Sequence, residues 1–302
     1  MATIDHFQYG WITPVLSYAL SVLGSFLGLL CAARAREAQT TGRRAWWIGL
    51  AAWAIGGTAI WTMHFTAMLG FRVSGTQIRY DVPTTILSAL IAVVVVGVGL
   101  VIVGFGRVSW PRIIFGGLFA GLGVAGMHYL GMGAIRMRGK VDYAPSLVAV
   151  SVLIAVVAAT AAFWLAVNVR GSRAVTGAAL VMGFAVSGMH YTGMAAMSVH
   201  SQPTAPAPSG ANGSTLLLPI MLIVVFVAFV LFYALLASPT EDDRAASVYL
   251  ADRAAERAAA DRAAADRAAV DGDAVRPGAG RATGRPTGGA GPVPGRRSRR
   301  FD

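Results

Sequence analysis

Ser187–Met197 reads S-G-M-H-Y-T-G-M-A-A-M, and the chain contains this stretch three times. The middle copy is Gly126–Met137, G-M-H-Y-L-G-M-G-A-I-R-M, and the first is Trp61–Leu69, W-T-M-H-F-T-A-M-L. In each copy a Met precedes a His and a second Met follows that His by four residues. His64, His128 and His190 are separated by 64 and 62 residues. So regular a period is the signature of an internal repeat.

The rest of the chain decides where such a repeat sits. Of 302 residues 56% are hydrophobic and only 13% charged, with a mean hydropathy of +0.62. An average soluble domain has about 25% charged residues, so this composition points to a membrane. Seven apolar runs reach the length of about 20 residues that a spanning helix needs. They are Trp11–Ala33, Trp46–Leu69, Thr84–Phe105, Ile113–Ile135, Ser146–Val167, Ala174–Met197 and Thr215–Ala237. The expected fold is therefore all-α, a polytopic membrane protein of seven transmembrane helices over residues 1–237. Three repeated helix pairs (about 11–70, 84–137 and 146–197) each end on the motif, and one extra span (215–237) stands apart.

The net charge of +11 lies mostly in loops and the C-terminal tail. It speaks to topology and anionic headgroups, and no nucleic-acid partner is expected. Arg34, Arg36, Arg43, Arg44, Arg107, Arg112, Arg170 and Arg173 fall on one side. Arg72, Arg79, Arg136, Arg138 and Lys140 fall on the other. The richer side should be cytoplasmic, which puts the N-terminus and all three motifs outside and the C-terminus inside. The expected location is a membrane that the chain crosses several times. No cleaved signal peptide is expected, because a basic n-region is missing and the first apolar run is long enough to span. The single cysteine, Cys31, excludes an internal disulfide and a thiolate cluster. Gly24 with Gly28, and Gly117 with Gly121, have the four-residue spacing that lets helices approach closely in lipid.

Beyond residue 237 the composition changes. Residues 238–270 are rich in Ala, Arg and Asp and read as a cytoplasmic helical segment. Residues 271–302 read as a disordered basic tail.

A His and a Met four apart share a helix face, about 40° apart around the axis. Imidazole nitrogen and thioether sulfur together suit copper, copper(I) above all. The candidate ligands are His64, His128 and His190 with Met63, Met68, Met127, Met132, Met189 and Met194, serving one shared site or more than one. Apart from Tyr and Cys, the three histidines are the only ionisable groups at membrane depth, where such groups default to function. Plain packing of Met and His on apolar helices is the competing reading. Tyr129 and Tyr191 follow their histidines as hydrogen-bonding partners or interface anchors, but Phe65 holds that place in the first copy.

M-H-Y-T at Met189–Thr192, with partial copies at Met63–Thr66 and Met127–Leu130, resembles the motif of the bacterial MHYT domain family over Asp5 to Ala237. The resemblance implies an integral membrane signalling sensor. It implies that the Met and His residues hold copper at the outer face and, through it, sense oxygen, CO or NO. Phe65 in place of Tyr and Leu130 in place of Thr depart from the motif. Relatives of this kind often carry cyclic-di-GMP synthesis or hydrolysis domains. This sequence contains none, so a stand-alone form is expected, its output passing through the tail or a separate cytoplasmic partner. A copper-handling or transport protein and a haem-binding membrane protein are the alternatives. With no nucleophile–base pair and no phosphate loop in view, enzyme activity is not expected.

Overall fold

Asp81 shows how the chain builds its spans. Its carboxylate accepts the backbone N–H of Thr84 at 3.0 Å and the Thr84 hydroxyl at 2.6 Å, capping a helix whose first turn contains Pro83. Acceptor side chain before the helix and Pro inside its first turn is the arrangement that satisfies orphan amides. The computed structural model describes residues 3–5, 7–202, 206–237 and 241–274.

Seven helical spans occur among the described residues, long and apolar enough to cross a membrane. They are α1 (Ile12–Glu37), a second span of three segments, α4 (Val82–Gly104), α5 (Trp110–Gly133), α6 (Pro145–Asn168), α7 (Ser172–Ala195) and α8 (Gly213–Leu236). The second span runs through α2 (Thr41–Ala52), a π-helical segment (Trp53–Thr62) and α3 (Met63–Leu69). The first six spans form a ring in chain order, closed by α7 against α1, and α8 packs outside it on α1 and the second span. The second span is the most buried of the seven, and α6 and α8 are the most exposed, as lipid-facing helices are.

Two glycines mark where helices touch. A Cβ on Gly24 would meet the Ala59 backbone nitrogen at 2.4 Å, and one on Gly121 the Val156 Cα at 2.5 Å. These are backbone-to-backbone contacts that only Gly permits, as the small-residue spacing predicts.

Three two-stranded antiparallel sheets, not foreseen in the all-α reading, cover the motif end. β1 (Ile4–Asp5) pairs with β2 (Arg72–Val73), β3 (Arg79–Tyr80) with β4 (Ile135–Arg136), and β5 (Gly139–Tyr143) with β6 (Met197–Ser201). Each sheet joins the strand entering a helix pair to the strand leaving it, so every repeat is a helix pair tied by its own sheet. Ile135 and Met197, placed by sequence in spans, belong to these strands.

At the opposite end Arg36 donates to the carbonyls of Ala166 and Val169. It satisfies the orphan C-terminal carbonyls of α6, so this arginine fastens helices as well as adding charge.

Beyond the bundle, α9 (Glu241–Ala274) is a 34-residue helix in a separate compact unit. On it Arg253 donates to the Tyr249 hydroxyl at 3.2 Å. Residues 275–302, which hold the basic tail, lie outside the described residues.

Candidate metal centre

Each motif falls in the last two turns of its helix, and the three helices converge there. His64 is the second residue of α3, while His128 and His190 lie five residues before the ends of α5 and α7. The three side chains are 3%, 0% and 1% exposed. His64 Nδ1 lies 3.0 Å from His190 Nδ1 and 3.1 Å from His128 Nδ1. The rings stand edge-on to one another at 76°, 77° and 89°, with centroids 4.9–5.2 Å apart. The cluster is thus a three-bladed arrangement with its Nδ1 atoms at the centre.

Three neutral imidazoles alone do not satisfy this geometry. An Nδ1 carries either one proton or one lone pair in the ring plane. His64 Nδ1 faces two other Nδ1 atoms, and one proton or lone pair serves one partner. A cation among them accepts a lone pair from all three. Metal–nitrogen bonds of about 2.0–2.1 Å place trigonal or tetrahedral ligands about 3.3–3.6 Å apart. Both His64 distances therefore need to open by only a few tenths of an ångström, and the ligand atoms of all three residues lie within 4.8 Å of one another, so the residues present fit a metal ion. Among the described residues no other group of three His, Cys, Asp or Glu converges in this way.

The far side of two of the rings rests on a glycine. A Cβ on Gly131 would meet His64 Nε2 at 2.5 Å, and one on Gly193 would meet His128 Nε2 at 2.4 Å. Each of these glycines follows the histidine of its own helix by three residues and receives the ring of the preceding copy. The same step from His64 leads to Ala67, which is buried. His128 Nε2 is buried without a hydrogen-bond partner among the described residues, so packing on glycine orients this ring.

The methionines divide into two layers. Met127 and Met189 join the large apolar core of the bundle, and Met63 is fully buried. Met68, Met132 and Met194 form a second cluster with Phe71, Val73, Met197 and Val199, roofed by the strands. The histidines stand between the layers, since each lies one residue after the first Met and four before the second.

The two tyrosines face neighbouring helices. The Tyr129 hydroxyl is 2.6 Å from Ser151 Oγ on α6, and Tyr191 faces Ser17 on α1. Each ring also packs edge-on against its own histidine, at 5.0 Å. Phe65 instead stacks on Trp61 and leans on Tyr80 beneath α8. Gly131, Gly193, Ser17 and Ser151 were not singled out from sequence. The glycines left one signal there, their shared offset of three from His in two copies. Of the remaining histidines, His200 is exposed on β6 near Asp142, and His6 lies outside the described residues.

The sequence model of the MHYT family, described as "Bacterial signalling protein N terminal repeat", matches residues 57–116, 121–179 and 183–247. Its repeat has the same period but starts at the motif and takes the following helix, so α1 rather than α8 is the span left over. The bifunctional diguanylate cyclase/cyclic di-GMP phosphodiesterase MucR of Pseudomonas aeruginosa is 38% identical over 241 residues, 78% of this chain and 35% of that protein. The cyclic di-GMP phosphodiesterase NbdA of the same organism is 34% identical over 207 residues, 67% of this chain and 26% of that protein. The signaling protein YkoW of Bacillus subtilis is 30% identical over 210 residues, 67% and 26% of the two chains. The chain thus spans about a quarter to a third of the length of these relatives. No solved structure matches it.

Proposed function

This chain belongs to the MHYT family of bacterial signalling proteins, and we propose that it is a membrane sensor whose input is a metal site formed by His64, His128 and His190. One observation carries the reading: in a buried cluster His64 Nδ1 lies 3.0–3.1 Å from both other Nδ1 atoms, where its single proton or lone pair serves only one of them. The metal is copper, favoured by the soft thioether layers on either side. Met68, Met132 and Met194 are the thioethers nearest a further ligand position, and Met63, Met127 and Met189 shape the floor. Copper(I) held there supplies an electron-rich centre for oxygen, CO or NO.

The protein's own part is to orient and exclude. Gly131 and Gly193 fix two of the rings, the Tyr129 hydroxyl ties α5 to α6 and the Tyr18 hydroxyl ties α1 to α7, and the strand-roofed cluster keeps bulk water away. The motif end faces outward, as the arginine distribution supports, in the cell membrane of a bacterium. Because the three histidines sit on three different spans, a change in their spacing moves three helices at once. A guest shifts that packing only if it binds the two arrangements with different affinity. The output leaves through α9, the tail or a separate partner at the opposite end.

Metal analysis of purified protein tests this. Wild type should carry copper near one equivalent, and the His64, His128 and His190 triple alanine variant should carry none. A wild type that purifies and reconstitutes without metal overturns the proposal. Copper transport is the weaker reading, because the buried polar side chains that continue inward along α1 from this end are the hydroxyls of Ser17, Ser21 and Ser25, which are poor ligands for copper(I). Haem is disfavoured by the spacing, since nitrogens 3.0–3.1 Å apart leave no room for a macrocycle.

A further inference from the structure

Away from the histidines, at the same end of the bundle, a cleft of about 780 Å³ opens between the first turns of α1 and α8, the last turn of α3 and the β2–β3 connection. Two guanidinium groups, Arg72 and Arg79, line it, and no carboxylate does. Neither arginine makes an ion pair among the described residues. The nearest acid in register with them, Asp5 opposite Arg72, is engaged by the Phe7 N–H at 2.8 Å.

Two helices of 26 and 24 residues begin at this cleft, and neither start is capped by a side chain. The first-turn amides of α8 are orphan donors at the positive end of a helix dipole, an arrangement that favours anions, whereas in α1 Pro14 has no N–H and Ile12 and Val15 already donate to the carbonyls of Tyr9 and Trp11. The cleft is therefore positive through its arginines and the α8 terminus, with no acid among its lining residues to offset them.

We propose that this cleft binds an oxyanion of the phosphate type. Arg72 and Arg79 pair with its charge, and the first-turn amides of α8 donate to its oxygens. The same chemistry comes from two sources, a lipid headgroup or free phosphate. Ile12, Leu16, Leu69 and Leu217 continue the cleft as apolar wall. That wall suits the glycerol and upper acyl chain of an anionic phospholipid at the interface, and an amphiphile of this kind is the occupant the cleft fits better. The site is separate from the metal centre, but Leu69 and His64 share α3.

The test uses the full chain purified in phosphate-free detergent. Native mass spectrometry compares retention of phosphatidylglycerol with that of phosphatidylcholine, and thermal unfolding is followed with inorganic phosphate against chloride at matched ionic strength. Phosphatidylglycerol should be preferred at least about tenfold. The preference should fall about tenfold or more in the Arg72→Gln/Arg79→Gln double variant, as loss of charge-assisted bonds implies. It should persist in Arg107→Gln at the opposite end. Stabilisation by inorganic phosphate that is lost in the double variant identifies the free anion as sufficient; an effect of the lipid alone identifies the headgroup. Absence of both effects, or a lipid preference unchanged in the double variant or equally lost in Arg107→Gln, overturns the proposal.

Discussion

Gly193→Ala tests the ring packing with a single methyl group. The added Cβ would lie 2.4 Å from His128 Nε2 and 3.0 Å from its Cδ2. Ordinary van der Waals contact between heavy atoms begins near 3.5 Å, so the ring must retreat by about 1 Å. His128 is fully buried and its Nδ1 already lies 3.1 Å from His64 Nδ1. It cannot translate toward the centre and must tilt, carrying Nδ1 off the common point. Tilting a buried side chain off its rotamer costs about 0.5–1.5 kcal/mol, and overpacking a core costs about 1–3 kcal/mol. Disturbing the support of a metal-ligating histidine costs about 10–100-fold in affinity. Gly193→Ala should therefore weaken copper(I) binding by that factor in a competition titration against a chelator, and lower the thermal midpoint modestly. Gly131→Ala should do the same through His64, where the approach is 2.5 Å. Gly126 and Gly188 provide the controls. They lie on the same helices two residues before His128 and His190, and a Cβ on either meets nothing within 4 Å. Alanine there should leave affinity unchanged and stabilise the helix by about 0.5–1 kcal/mol. Equal affinity in Gly193→Ala and Gly188→Ala would refute the claim that packing on glycine sets the ligand geometry.

His64→Ala should abolish metal binding more completely than His128→Ala or His190→Ala, because His64 Nδ1 contacts both other rings; bound copper measured across the three variants checks the order. Met132→Leu conserves volume, so its folding cost should stay below about 1.5 kcal/mol, yet copper(I) affinity should drop about tenfold or more while zinc affinity holds. A Leu variant indistinguishable from wild type in copper titration would assign the upper Met layer to packing. Gly121→Ala sets a methyl against the Val156 backbone at 2.5 Å, which cannot swing aside as a side chain can; the loss should be about 1–3 kcal/mol in the unfolding midpoint. The Asp81 carboxyl is held below its ordinary range by the Thr84 hydroxyl first and the Thr84 amide next, with Arg136 3.4 Å away. A depressed carboxyl stabilises the fold above its unfolded-state value and loses that contribution as pH falls through its folded-state value. Thermal midpoints measured from neutral into the carboxylate range should therefore decline less steeply in Asp81→Ala than in wild type, from a lower starting point.

The spans were legible because each is an apolar run of sufficient length, and the motif helices because a rare His recurs with its methionines. Convergence of His64, His128 and His190 was legible only as a common depth. That the meeting atoms are Nδ1, and that Gly131 and Gly193 seat two of the rings, depends on rotation about helix axes, which a period of 64 and 62 residues does not encode. The sheets were hidden for a different reason. β1 to β4 are two residues each, too short for an alternating pattern to declare itself. Their pairing is set by the helices that bring their ends together. Arg36 misled in a smaller way: counted as a loop charge, it lies inside α1 and binds two carbonyls of the α6 terminus.

The same limit explains the second span, which is longer than its counterparts for a reason that only hydrogen bonding reveals. His64 stands 23 residues after the first residue of its span, while His128 and His190 stand 18 after theirs. Five additional residues wound as α-helix would add about 7.5 Å of height and lift His64 out of the plane of the other two. The chain instead winds Trp53–Thr62 as π-helix, in which each turn takes in more residues and each residue rises less. Thr62 Oγ1 donates to the Gly57 carbonyl at 2.9 Å, five residues back, along the same wide register. A π-segment of ten residues is costly and rare, and such segments collect at functional sites. Here it ends at the residue before Met63-His64. Closing the triad requires His64 at the depth of its partners, and a wider coil supplies part of that correction within a helix that the bundle buries most. The unequal length of the first repeat is thus part of how three unequal copies form one site.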